Sequence, residues 1–275
     1  MNNRSSNRFE TSSMKKEKQV IYYDDELNNE FSTAQIVAKK IGDDYVYIHT
    51  GIFKKFTHFF WYRVVATPIA FFYLKIKFHH KIVNKKILKE FKNKGYFMFG
   101  NHTQPTGDAV IPSMITFAKD AYVIVHPNNV SMPYLGRVTP SMGALPLPDT
   151  LKATINFSKA IETRIRENKA IVIYPEAHIW PYYTKIRPFT DESFYYPVKY
   201  DSPVFCFTNT YQKRKCGSKP KLVTYVDGPF YRDKSKSVQE QRKLLRDQVY
   251  ECMSERSKLS TVEVIEYKKK ESPSD

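Results

Sequence analysis

A single α/β domain, built on a central mostly parallel or mixed sheet flanked by helices, is the fold class this sequence predicts. Three observations predict it. Short, unbroken apolar runs such as YFMF at 96–99, AYVIV at 121–125 and AIVIY at 170–174 have the length and hydrophobicity of strands buried on both faces. Stretches with helical periodicity separate them, as parallel crossovers require. The 275 residues, 41% of them apolar, supply a core for one full-sized domain and barely for two.

The elements follow in order. Residues 1–20 are polar, rich in Asn, Ser and Lys, and read as a disordered tail. Residues 21–76 form an N-terminal region, with a helix expected around 28–41. The domain proper is 77–256, and 257–275 reads as a solvated C-terminal tail. Within the domain, 77–83 reads as a strand, and Ile87, Leu88 and Phe91 mark a short helical stretch. Strands over 96–99 and 121–125 come next. Leu151, Ile155, Ser158, Ile161 and Ile165 recur at three- or four-residue steps, which predicts a helix over 151–167. It leads into the strand at 170–174. Residues 203–208 and 221–226 are further strands, and 238–253 is a charged amphipathic helix. There is no internal repeat.

Charge is unevenly spread. The chain has 44 Lys and Arg against 28 Asp and Glu, a net +16, and residues 51–100 alone hold eleven bases and one acid, Glu90. The same block contains the most apolar run, FFWYRVVATPIAFFYL at 59–74, interrupted by Arg63 and Pro68. Lys54 and Lys55 precede it; Lys75, Lys77, Lys81, Lys85 and Lys86 follow. An aromatic, apolar segment flanked by cations suits the interface of an anionic membrane, where each surface-proximal base contributes about 1 kcal/mol. A buried core helix with a solvated basic neighbourhood is the alternative. No run reaches eighteen uninterrupted apolar residues, so peripheral or re-entrant association, on the cytoplasmic side of the cell membrane and with membrane lipids as partners, is the expectation. Nucleic acid is not expected, because no zinc-finger spacing, RNP signature or helix-turn-helix pattern accompanies the bases. The N-terminus lacks the apolar run of a signal peptide. Three cysteines, Cys206, Cys216 and Cys252, cannot build a disulfide scaffold and fit a reducing compartment.

Two loops carry chemistry. NHTQPTGD at 101–108 directly follows a buried strand, the usual ligand position in open α/β sheets. It brings His102 and Asp108 together: an imidazole that can accept a proton from a hydroxyl, and a carboxylate that can fix its tautomer. Taken alone, such a pair is more often a turn or a cap. YPEAHIW at 174–180 follows another strand and offers Glu176, which alone would read as a local cap.

In this order and separation, the two blocks resemble those of the glycerolipid acyltransferases that include the lysophosphatidic acid acyltransferases. The hallmarks of that family are an Asn-His…Asp block and a Phe-Pro-Glu-Gly-Thr block. Residues 185–189 (KIRPF), 202–207 (SPVFCF), 225–230 (YVDGPF) and 143–149 (GALPLPD) resemble further stretches, so the likeness spans roughly 75–255. There are departures. Five residues rather than four separate His102 from Asp108. Ala177, His178 and Ile179 stand where the family has Gly, Thr and a phosphate-linked Arg, and the terminal Arg of the middle block is missing.

The resemblance implies O-acyl transfer from acyl-CoA or acyl-carrier protein, as co-substrate and with no other cofactor, to a hydroxyl of a lysophospholipid. It implies His102 as general base oriented by Asp108, and Glu176 at the acceptor. Arg187, Lys185 and Arg137 are the available substitutes for the missing phosphate cation. Two rivals stand beside it. A metal-dependent hydrolase could use His102, Asp108, Glu176 and His178 as ligands, although the acyltransferase reading expects no metal. A non-enzymatic membrane adaptor would explain the charge alone. A serine lipase lacks its motif, since Ser141 lies in TPSMG.

Overall fold

The computed structural model describes residues 18–31, 36–48, 51–116, 119–217 and 219–270. Chain order begins with strand β1 (Gln19–Tyr23) and then a continuous helical rod: α1 (Ile52–Phe59), a π-helical segment (Phe60–Ala66) and α2 (Thr67–Phe78). After it come β2 (Lys81–Val83), a 3₁₀ segment (Lys85–Phe91), β3 (Tyr96–Gly100), α3 (Ile111–Ile115) and β4 (Ala121–Val125). Two single turns, α4 (Asn128–Ser131) and α5 (Leu135–Val138), precede β5 (Ala144–Pro146), α6 (Leu151–Arg166) and β6 (Ala170–Ile173). The chain closes with α7 (Tyr195–Lys199), β7 (Val204–Gln212), β8 (Lys221–Phe230), α8 (Val238–Ser257) and β9 (Ile265–Lys269).

Seven strands form the main sheet in the order β2-β8-β7-β3-β6-β4-β5, and every neighbouring pair is parallel except β7 with β8. Pleating sends alternate residues of each strand to opposite faces. From β3, Phe97 and Phe99 join one core layer with Phe157 and Ile161 of α6 and Leu245, Val249 and Met253 of α8. Tyr96 and Met98 join the other, with Ala70, Leu74 and Phe78 of α2 and Met114 of α3. On β7, Cys206 faces the first layer and Phe205 and Phe207 the second. Phe207 also explains Gly100: a Cβ there would lie 2.1 Å from its ring. The long helix α8 starts with a reciprocal capping box between Ser237 and Glu240.

The expected α/β architecture is borne out, with local corrections. The strand expected at 77–83 is confined to Lys81–Val83, because α2 continues to Phe78 and ends on His79 in the left-handed region (φ 48°). No helix occupies the described residues of 28–41; where it was expected to start, the Asp25 and Asn29 side chains cap the backbone N–H groups of Asp24, Leu27 and Asn28 in a tight turn over 24–29. The tails expected at 1–20 and 257–275 are corrected where they are described. Gln19–Tyr23 and Ile265–Lys269 pair as a two-stranded parallel sheet, held by alternation of Tyr23 and Tyr267 against Trp180. Residues 1–17 and 271–275 lie outside the described residues.

The rod is anchored on one side only. Within Lys55–Phe78, a stretch long and apolar enough to cross a membrane, the buried residues are Tyr62, Thr67, Ala70, Leu74 and Phe78. These recur at three- to five-residue steps and so share one face. Tyr62 accepts the Ala121 N–H at 2.9 Å and Arg63 pairs with Asp120 at 2.8 Å, tying the rod to the entrance of β4. Phe53, Phe56, Phe59, Phe60, Val64, Ile69, Phe71, Phe72 and Ile76 are exposed.

His80, in the turn after the rod, is 4% exposed, with Nε2 2.8 Å from the Thr224 hydroxyl of β8. Burial, aided by Lys75 and Lys85, pushes its imidazole down to about 4. The unfolded chain therefore binds the extra proton between pH 6.5 and 4, and stability falls as the pH drops through that window. At pH 5 the expected loss is about 2 kcal/mol relative to pH 7. Urea unfolding of the parent and of a His80→Gln variant at the two pH values checks this; the variant should lack that part of the loss.

Candidate active site

β3 and β6 run parallel, with Phe99 opposite Ile173, so the loops that follow them emerge side by side at one edge of the sheet. β3 is also where the strand order divides, β6 lying on one side and β7 on the other. Such a switch point leaves a crevice at the carboxyl ends of the strands. The Asn101–Asp108 loop occupies it.

His102 Nδ1 is 2.8 Å from Asp108 Oδ2. An ionised carboxylate only accepts, so Nδ1 carries the proton and Nε2 of the neutral ring is left with its lone pair. The side chain of His102 is 24% exposed, whereas Asp108 is 2% exposed. The five-residue spacer closes on itself. Asp108 N–H donates to the Gln104 carbonyl at 2.9 Å, and the Gln104 N–H donates back to Asp108 Oδ2 at 2.9 Å. Burial pushes the Asp108 carboxyl up, and its bond from His102 and those from the loop N–H groups pull it back. Tyr174, at the end of β6, stacks on the His102 ring at 4.7 Å and donates its hydroxyl to the Asp108 carbonyl at 2.6 Å.

Glu176 and Arg187 lie together, both side chains fully buried, with Nη2 and Oε2 3.6 Å apart. Both were expected to contact substrate; in this structure neither presents a polar group outward. Glu176 accepts the His102 backbone N–H at 2.9 Å and the Arg187 backbone N–H at 3.0 Å. Arg187 donates to the carbonyls of Glu176 and Glu26, at 3.1 and 3.2 Å, and to that of His178, and it lies over the Trp180 ring. Burial pushes the Glu176 carboxyl up and the Arg187 guanidinium down, and the attraction between the two opposes both shifts. Two more bonds tie the loops: Trp180 N–H to the His102 carbonyl at 3.1 Å and Tyr182 N–H to that of Thr103 at 2.7 Å. Ala177, where the resembled motif has glycine, takes the left-handed conformation glycine favours (φ 60°).

Of the remaining expected residues, Lys185 and Arg137 are exposed, and neither makes an ion pair among the described residues. His178 turns away, its Nδ1 3.2 Å from Glu30. His102, Asp108, Glu176 and His178 therefore do not converge as a ligand set. Among the described residues the convergent group is Cys206, Asp227 and Cys252, in which Asp227 is already paired with Arg256 at 2.6 Å.

Asn209, which the sequence reading passed over, donates from Nδ2 to Asp108 Oδ1 at 3.2 Å. The polar triplet Thr208-Asn209-Thr210, directly after the apolar run VFCF, was the signal that could have marked it.

No protein-family model matches the chain, and no curated protein matches it. Among solved structures it is similar to the crystal structure of the 1-acyl-sn-glycerophosphate (LPA) acyltransferase, PlsC, from Thermotoga maritima. The two superpose with a TM-score of 0.51 at 16% identity, over 76% of this chain and 81% of that one. At this identity the likeness is one of fold, and the resemblance carried by the motifs extends to it.

Proposed function

We propose that this protein is an O-acyltransferase that moves a fatty acyl group from a thioester to a hydroxyl of a lysolipid. The observation that carries the reading is the 2.8 Å contact between His102 and Asp108, set at the switch point of a fold shared with a lysophosphatidic acid acyltransferase. In the proposed reaction His102 Nε2 takes the acceptor's hydroxyl proton as its oxygen attacks the thioester carbonyl. Asp108 holds the ring in the required tautomer and stabilises the imidazolium. The carbon–sulfur bond then breaks, and the thiolate leaves with the proton that His102 has carried. No covalent acyl-enzyme is needed. Acyl-CoA and acyl-carrier protein are the candidate donors.

Glu176 enters this reading as a brace, since its carboxylate is spent on backbone N–H groups and on Arg187. With Ile179 at the position of the phosphate-linked Arg and Arg187 buried, Lys185 and Arg137 are the proposed contacts for an anionic headgroup. The loss of that phosphate-linked Arg also suits an acceptor without a phosphate. The exposed apolar side of the rod, bordered by Lys75, Lys77, Lys81 and Lys85, is proposed to rest on an anionic cytoplasmic leaflet, where the lipid substrates reside.

The test incubates the purified protein with anionic vesicles, radiolabelled acyl-CoA or acyl-carrier protein, and lysolipids with and without a phosphate, in the presence and absence of a chelator. Labelled diacyl product that forms equally in chelator is the expected result. Vesicle binding with no transfer from either donor sinks the enzyme reading in favour of an adaptor, and hydrolysis lost in chelator would turn it to the metal hydrolase.

A further inference from the structure

The side of Asp108 turned away from His102 has partners of its own. Oδ1 accepts from Asn209 Nδ2 of β7, Asn209 Oδ1 accepts the Thr224 hydroxyl of β8 at 2.6 Å, and Thr224 Oγ1 lies 2.8 Å from His80 Nε2. All four side chains are buried. Valence fixes the direction of every bond. The carboxylate has no proton to give, so Asn209 turns its NH₂ towards it and keeps Oδ1 for Thr224. The threonine hydroxyl has one proton, spent on Asn209, so it must accept from His80, whose Nε2 carries the hydrogen. The backbone is fixed as well: Asn209 N–H donates to Asn101 Oδ1 at 2.8 Å, and Asn101 Nδ2 donates to the Asn209 carbonyl at 3.1 Å. The relay is thus registered against the residue that precedes His102.

We propose that Asn209, Thr224 and His80 are positioning residues of the dyad, forming a one-way relay of hydrogen bonds that holds Oδ1 of Asp108 and aims Oδ2 at His102. A carboxylate removed from water needs donors on both oxygens, and donors in series polarise one another in a low-dielectric interior. His102 and the Gln104 N–H serve Oδ2; the relay serves Oδ1. Cutting the relay weakens the bond to Oδ1. More of the negative charge then bears on Oδ2, the imidazolium is stabilised further, and His102 becomes more basic. The other ionisable groups facing His102, Tyr174 and Glu176, are untouched by such a cut.

The experiment compares Thr224→Val, which removes one oxygen at nearly constant volume, with Thr224→Ser, which restores it. The titration of His102 is followed by nitrogen NMR of the full chain. The midpoint is expected to rise by about half a pH unit in Thr224→Val and to return to the parent value in Thr224→Ser. Only the kinetic arm rests on the acyl-transfer reading: there, Thr224→Val leaves Asp108 less firmly aimed, and this lost positioning should outweigh the added basicity, lowering kcat about fivefold with KM unchanged. If the parent transfers no acyl group but the midpoint still moves, the relay stands and the functional reading falls. A midpoint within ~0.1 pH unit of the parent in a folded Thr224→Val overturns the relay. Should that variant not fold, His80→Leu removes the outermost donor; it is expected to shift the midpoint in the same direction, and an unmoved midpoint there overturns the relay equally.

Discussion

Replacing His102 by alanine is expected to lower the acyl-transfer rate by about 10²- to 10⁴-fold, the contribution of a positioned general base. The fold should survive the change. The imidazole is partly exposed, and the bond that ties this residue to Glu176 comes from its backbone N–H, which alanine keeps. Thermal unfolding should therefore stay within about 1 kcal/mol of the parent. Asp108→Asn is expected to be nearly as damaging by a different route. The asparagine can turn its NH₂ to His102 Nδ1, which stabilises the tautomer with the proton on Nε2, where a base cannot use it. Single-turnover rates for both variants, beside their melting curves, check the assignment. Transfer at the parent rate in His102→Ala would remove this residue from the role of base.

Arg187→Ala is expected to have the largest effect on stability, a loss of about 3–5 kcal/mol, because it strands a fully buried carboxylate. The same substitution frees three carbonyls, those of Glu26, Glu176 and His178, and removes the cation from the face of Trp180. Replacing both partners, as Glu176→Gln with Arg187→Met, should recover part of the loss, since no unpaired charge then remains. Denaturant unfolding of the two variants decides the matter. A single variant as stable as the parent would show that the pair contributes little.

The fold and the dyad were legible in the sequence for the same reason. Strands buried on both faces leave unbroken apolar runs, and the loops at their carboxyl ends are where the chemistry sits. His102 and Asp108 lie within one such loop, so local sequence places them together. The roles of Glu176 and Arg187 were not legible, because burial is a tertiary property: a surface cation and a buried brace look alike in a string of letters. Asn209 escaped for a related reason, being 101 residues from the carboxylate it holds. The two ends misled most. YKKK reads as a solvated tail, yet Tyr267 stacks on Trp180 at 5.0 Å and donates to the Pro181 carbonyl at 2.9 Å.

That terminal strand bears on how the protein comes into being at the ribosome. β1 is among the first described segments to emerge, but its pairing partner β9 lies some 246 residues further along the chain. Until β9 has left the exit tunnel, Trp180 lacks the ring that stacks on it, and the strand ahead of the Asp25–Asn29 turn is an unpaired edge. The seven-stranded sheet needs nothing beyond β8 for its own pairing and can form earlier. Synthesis thus delivers the dyad's loop first and the clamp over its neighbouring loop last. A nascent chain that has emerged only through β8 would carry an assembled sheet while β1 and Trp180 still wait for their partners.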